Sequence, residues 1–315
     1  MLSLFSSPKA FQGDFDIIQR NAITSWSLLH PRPEIILLGN DSGTATMAHA
    51  VGARHIPSVD LNEYGTPLVS SIFASAQTAS RYDLMCYVNA DIILMDDFLF
   101  TVAQVNRLLP REPFLLIGRK ITGVPIPELL DFTKTGWQEE LRRRVSGASH
   151  GTSDSDYFVF RRGLWPQVPP FAIGRFYWSA WLVYNARIRG IKVLDATETI
   201  TAVEPAHDYG HVSSVAPGDG ILSSPELAYN ARLFKGCRYW TTFNSSHTLS
   251  RSELKRIPLR RRFTSLFIEW DHCLGLAYRV SPTWHRALLP VHAAYRGLRP
   301  WLLGLRRRLL RQPIY

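Results

Sequence analysis

The run Leu84-Met85-Cys86-Tyr87-Val88 is apolar throughout and stops abruptly at Asn89-Ala90-Asp91, after which Ile92-Ile93-Leu94 resumes the apolar signal and leads into Asp96-Asp97. A short apolar run bounded by polar residues reads as a buried strand. The carboxyl end of such a strand is where open α/β sheets place their ligands. Oxygen-bearing side chains at i and i+2 can converge there on one hard divalent cation that also binds phosphate oxygens. An Asp at a strand end is also an ordinary turn or cap residue, and Asp96 has the position of an N-cap for the helix that follows.

Similar runs recur along the chain. Ser3 to Ser7 reads as a first strand, followed by an amphipathic helix from Asp14 to Leu29 that Pro31 and Pro33 close off. Glu34–Leu38, Leu84–Val88 and Phe114–Ile117 read as strands, with a helix from Asp97 to Leu109 between the last two and a charged surface helix from Gly136 to Val145. Strand and helix alternation of this kind predicts a mainly parallel sheet with helices on both faces.

The order of segments resembles the nucleotide-binding half of GT-A glycosyltransferases, especially the inverting family that includes the polysaccharide synthases. Glu34 to Leu38 ends in Gly39-Asn40-Asp41-Ser42-Gly43, and Asn62-Glu63-Tyr64-Gly65 precedes an Ala/Ser-rich helix from Leu68 to Ser80. The next strand ends in Asn89-Ala90-Asp91, where the family has D-x-D. Farther on, Gly151 to Arg162 resembles the acceptor-side strand, and Trp178-Ser179-Ala180-Trp181, Arg187 and Gly190 have the spacing of a catalytic helix. Ser179 stands where the family has its base Asp, and a serine hydroxyl cannot replace a carboxylate base without an activating partner. The resemblance covers roughly residues 3–215.

The resemblance implies a GT-A (Rossmann-like) mixed, mainly parallel sheet flanked by helices, followed by a basic, mainly helical C-terminal extension. It implies a sugar transfer from a nucleotide-diphosphate donor, assisted by Mn²⁺ or Mg²⁺. The donor pocket is expected from Ser6, Asn40, Asp41, Gly65, Asn89 and Asp91, with the metal held by Asp91 and His207. His207 lies in His207-Asp208-Tyr209-Gly210-His211, whose histidines also read as ordinary loop or core residues. Asp156 is expected as the catalytic carboxylate, against a reading in which it only caps the strand Tyr157–Phe160. Arg175 and Trp178 are expected at the acceptor, although aromatic residues in such a segment also suit a core. Two rival functions remain: a degenerate nucleotide-sugar-binding protein, favoured by Ser179 and Asn89, and a nucleotidyltransferase, disfavoured by the lack of a glycine-rich, lysine-bearing phosphate loop.

At 315 residues, with 46% hydrophobic content, the chain is long enough for one large α/β domain and an appendage. Cys86, Cys237 and Cys273 are odd in number and far apart, which argues for a reducing compartment. The first residues lack a signal-type pattern, and no apolar run is long enough to span a bilayer, so a cytoplasmic location is expected. Residues 251–315 contain 14 Lys/Arg against Glu253, Glu269 and Asp271, a net of +11, so residues 1–250 carry −1 of the chain's +10. The domain boundary is therefore expected near residue 250. The tail ends in Leu298-Arg299-Pro300-Trp301-Leu302-Leu303-Gly304-Leu305-Arg306-Arg307-Arg308. That basic amphipathic pattern suits peripheral contact with an anionic membrane, and through it a membrane-borne acceptor. It also suits a helical cap with its arginines in solvent. No motif for specific nucleic-acid binding accompanies it.

Overall fold

The computed structural model describes residues 1–151, 155–206, 224–250 and 253–257. In chain order the elements are β1 (Leu2–Ser6), α1 (Asp14–Ser27), β2 (Glu34–Leu38), α2 (Thr44–Ala50), β3 (Arg54–Ile56), α3 (Val69–Ala79), β4 (Leu84–Val88), β5 (Ile93–Leu94), α4 (Asp96–Leu108), β6 (Phe114–Ile117) and β7 (Ile121–Val124). They continue as α5 (Trp137–Arg144), β8 (Tyr157–Arg161), α6 (Trp178–Ile188), β9 (Lys192–Asp195), β10 (Ala202–Pro205), α7 (Pro225–Leu233), β11 (His247–Leu249) and β12 (Leu254–Arg256).

Among the described residues one sheet has nine strands in the order β12-β11-β9-β6-β8-β4-β1-β2-β3. The pairs β3-β2, β2-β1, β1-β4, β6-β9 and β9-β11 are parallel. Strand β8 runs antiparallel to β4 and β6, and β12 is antiparallel to β11 at the edge. The result is a mixed, mainly parallel sheet flanked by helices. A small second sheet, β5-β10-β7, lies beside it.

Side chains of a strand alternate between faces, and here both faces are covered, which is why the strands read as unbroken apolar runs. In β4, Leu84, Cys86 and Val88 join one core with Trp26 of α1 and Phe98 of α4. Met85 and Tyr87 join the other core with Ile72 and Phe73 of α3 and Leu182 of α6. Strand β6 divides in the same way, with Phe114 and Leu116 on the first face and Leu115 and Ile117 on the second.

Two local readings change. Met95, not Asp96, is the N-cap of α4, and no side chain caps it; Asp96 and Asp97 lie in the first turn, where their charge complements the helix dipole. The expected boundary at residue 250 falls inside the β11–β12 hairpin, with Leu249 paired to Leu254, so residues up to Arg256 belong to the sheet. Residues 258–315, and with them the amphipathic end of the tail, lie outside the described residues. Among the described residues no helix is long and apolar enough to cross a membrane.

Candidate active site at the carboxyl edge of the sheet

Strands β1 and β4 are parallel neighbours, so Ser6 and Asn89-Ala90-Asp91 emerge at one edge of the sheet. Strand β6 ends near the same edge and leads through Gly118 to Lys120. Because β8 is antiparallel to β4, its first residues rather than its last arrive there; Tyr157 pairs with Val88 and places Asp156 beside Asn89. The Asn89 backbone N–H donates to the Asp156 carbonyl at 2.8 Å, and its side-chain Nδ2 donates to Asp156 Oδ1 at 2.6 Å. Asn89 Oδ1 accepts from the Tyr87 hydroxyl at 2.9 Å. A second Asp at position 89 could not donate to Asp156, so Asn here gives the neighbouring carboxylate a partner.

Lys120 closes the site. Its Nζ lies 2.8 Å from Asp156 Oδ2 and 2.8 Å from Glu204 Oε1, the latter on β10 of the small sheet. Burial opposes the ammonium charge, but Asp156, Glu204 and Asp91 outweigh it and hold Lys120 charged, its pKa raised above the ordinary value. Burial pushes Asp156 above the usual carboxylate range; Glu204 adds to this, and Lys120 and Asn89 oppose it. Asp91 Oδ1 is buried without a hydrogen-bond partner. Burial, reinforced by Glu204 and Asp156 against Lys120 and Lys9, raises the Asp91 carboxyl to about 6. The hydroxyls of Ser6 and Ser7 are likewise buried without partners, next to the loop that carries Lys9. Burial lowers the Lys9 pKa, opposed by Asp91 and reinforced by Arg175.

Two glycines make this edge possible. A Cβ on Gly43 would lie 2.7 Å from Phe11 Cβ, and Phe11 N–H donates to the Ser42 carbonyl at 2.8 Å, so the loops after β1 and β2 close on each other only over glycine. A Cβ on Gly118 would lie 2.0 Å from the Tyr157 hydroxyl and 3.0 Å from the Thr197 nitrogen. Gly118 thereby lets the β6 strand end meet the start of β8, where Ser155 Oγ donates to the Gly118 carbonyl at 2.9 Å.

The other sequence candidates spread outward. Asn40 and Asp41 are exposed in the loop after β2. Gly65 is exposed in a turn with φ +79°, with nothing near its missing Cβ, so the turn conformation rather than close approach calls for glycine. Arg175 is engaged with Glu226 of α7, Nε at 2.9 Å and Nη2 at 2.5 Å from Oε2. The acceptor role expected for Trp178 meets a different placement: it is buried, with ring centroids 5.2 Å from Tyr87 and 5.5 Å from Phe158, and supports Tyr87 from inside the core. Ser179 is half-buried in the first turn of α6, two residues after the N-cap Tyr177, a non-glycine residue with φ 87°. His207 lies outside the described residues.

Lys120, Glu204 and Lys9 are the residues that sequence reasoning missed. Lys120 follows the strand end Ile117 by three positions, and Glu204 closes an apolar run, so their placement at strand ends was readable. Their mutual pairing was not.

Among the described residues no three His, Cys, Asp or Glu side chains form a metal-ligand group. The buried, partnerless Asp91 oxygen nevertheless fits one ligand of a Mg²⁺ or Mn²⁺, because such ions are commonly held by one or two carboxylates with substrate phosphates and waters completing the shell.

No family model matches this chain, and no curated protein matches it. Similar solved structures include glucosyl-3-phosphoglycerate synthase of Mycobacterium tuberculosis, 17% identical over 66% of this chain and 73% of that one, with a TM-score of 0.40. The same synthase in complex with Mn²⁺, UDP-glucose and phosphoglyceric acid is 15% identical over 68% of this chain and 75% of that one, with a TM-score of 0.42. S. aureus TarS 1–349 is 12% identical over 52% of this chain and 47% of that one, with a TM-score of 0.33. The order and sense of this chain's own strands define a mixed, mainly parallel nine-stranded α/β sheet.

Proposed function

We propose that the protein is a glycosyltransferase that moves a sugar from a nucleotide-diphosphate donor to an acceptor hydroxyl. The observation that supports this reading is the buried, partnerless Asp91 oxygen at the shared carboxyl edge of β1 and β4, flanked by Lys9, Lys120 and Asp156. In the reaction the bond between the sugar's anomeric carbon and the diphosphate oxygen breaks, and a bond to the acceptor oxygen forms. The acceptor proton passes to Asp156, whose carboxyl is made more basic by burial. The nucleoside diphosphate leaves as an anion. A bound Mn²⁺ or Mg²⁺ supplies Lewis-acid neutralisation of that leaving group.

In this reading Asp91 holds the metal, and Lys9 reaches the phosphates. The hydroxyls of Ser6 and Ser7 gain partners from the nucleotide, while Asn40 and Asp41 face its ribose or base. Asn89 serves the donor indirectly, because its amide is engaged by Asp156 and Tyr87. A second reading, a binding protein without turnover, draws on the engagement of both Asp156 oxygens and on Ser179 in the first turn of α6.

Calorimetry with UDP and Mn²⁺ tests the donor site: Asp91→Ala is expected to lose binding while its circular dichroism stays native. Unchanged affinity removes Asp91 from the site. Turnover of UDP-, GDP- and dTDP-sugars with Mn²⁺ separates transferase from binding protein, and Asp156→Asn is expected to lower the rate at least ~100-fold.

A further inference from the structure

We infer that Lys120 is a tethered cation that keeps the divalent metal out of this site until a nucleoside diphosphate carries it in. The inference rests on the donor site proposed above and concerns the order in which metal and nucleotide bind.

Asp91, Asp156 and Glu204 act on one another electrostatically, with Asp156 and Glu204 buried and Asp91 presenting one buried oxygen, although as they stand no three of the described side chains form a metal-ligand group. The Lys120 ammonium bridges two of these carboxylates, 2.8 Å from an oxygen of Asp156 and 2.8 Å from an oxygen of Glu204. Metal–oxygen distances for Mg²⁺ are about 2.1 Å, so these oxygens need to draw in by only about 0.7 Å each to serve an ion in place of Nζ. The ammonium therefore takes up two oxygens that a metal could otherwise use. Asp156 Oδ2 makes no hydrogen bond but is ion-paired with Lys120, as is Glu204, and the Asn89 amide is engaged on both sides, so the buried Asp91 oxygen has neither a hydrogen bond nor an ion pair.

One carboxylate beside a fixed positive charge holds a bare dication poorly, because like charges repel at short range in a weakly screening interior. A diphosphate changes the balance: its negative charges offset those of the dication, and its oxygens supply the ligands that Lys120 has taken. Metal and nucleotide then enter as one unit, with Asp91 as the protein's contribution to the shell. Lys120 is a positioning residue here, and its effect is read from metal binding rather than from rate.

Mn²⁺ electron paramagnetic resonance on the full chain tests this, since the free-ion signal falls as Mn²⁺ binds. Wild-type protein is expected to leave the Mn²⁺ signal intact without UDP and to quench it when UDP is added. Lys120→Met is expected to take up Mn²⁺ without UDP at least roughly tenfold more tightly than wild type. Adding Glu204→Gln to that variant should remove the gain, and Lys120→Arg, which keeps the charge, should behave as wild type. Lys120→Gln serves if Lys120→Met fails to fold. Equal uptake of Mn²⁺ by the wild type with and without UDP overturns the inference, as does a folded Lys120→Met protein that gains nothing. If no protein binds UDP, the donor reading fails, and the response of Lys120→Met to Mn²⁺ alone still decides the role of Lys120.

Discussion

Asp91 lies where a carboxylate is expensive to keep. One oxygen is buried without a partner, and Glu204 and Asp156 add repulsion to the cost of burial. Such a residue works against folding unless a cation binds it. Asp91→Asn removes the charge and keeps the shape, so differential scanning calorimetry should show a higher Tm, by about 2–4 °C for each kcal/mol recovered. The same variant should lose Mn²⁺-dependent UDP binding. An unchanged or lower Tm would mean that Asp91 has a stabilising partner in the folded protein. Asn89 shows the opposite logic. Its neutral amide donates to Asp156 at 2.6 Å, where a second aspartate would add another negative charge against a buried one.

At the scale of elements, the site is held by contacts behind it. In α1, the Trp26 indole donates to the Ile92 carbonyl at 2.8 Å, and Ser25 Oγ accepts from Leu94 N–H at 3.1 Å, so this helix grips the segment that follows Asp91. Helix α7 is tied down in a similar way. Asn230, fully buried, bonds the backbone of Ala172 in both directions, and Glu226 accepts from Asn62 at 2.7 Å and from Arg175. Burial would raise the Glu226 carboxyl, but hydrogen bonds from Thr66 and Asn62 and the Arg175 charge outweigh it and hold the group below its ordinary value. A carboxyl with a depressed folded pKa stabilises above its unfolded value of about 4.5 and loses that contribution as pH falls through the folded value. Glu226→Gln should therefore flatten the acid limb of the stability curve below about pH 4.5. Glu226→Ala leaves Arg175 without its partner and should cost roughly 3 kcal/mol. Hydrogen exchange at residues 225–233 reads the loosening of α7, and unaltered protection there would show that the ion pair does not hold the helix.

At the scale of the molecule, charge is concentrated in one stretch of the sequence. Residues 251–315 carry a net of +11 and several Trp and Leu, whereas residues 1–250 carry −1. Each Lys or Arg near an anionic surface contributes about 1 kcal/mol, and salt screens this term but not the burial of Trp and Leu. The full chain should sediment with anionic liposomes at low salt and partly remain bound at high salt. A truncation for comparison belongs after Ile257, because β12 completes the sheet edge as far as Arg256. A full chain that stays in the supernatant at low salt assigns the tail's arginines to solvent rather than to lipid.

The runs Glu34–Leu38, Leu84–Val88 and Phe114–Ile117 are strands with the bounds their composition predicts, since both sheet faces are covered and every position after Glu34 in the first, and every position in the other two, is apolar and buried. The sequence alone therefore determined the layered α/β class, the sheet interior and the polar break at Asn89-Ala90-Asp91. It did not reveal the short strands β3, β5 and β7, whose two to four residues are too few to show a period. Nor did it reveal which charges meet. Asp156 reaches Asn89 because β8 reverses direction beside β4, and Lys120 reaches Glu204 because β10 packs next to β7. Glu204 lies 84 positions from Lys120 in the chain, and a pairing at that separation is set by strand order and sense. Local composition is blind to both, so the tertiary structure alone decided that a lysine sits among the carboxylates.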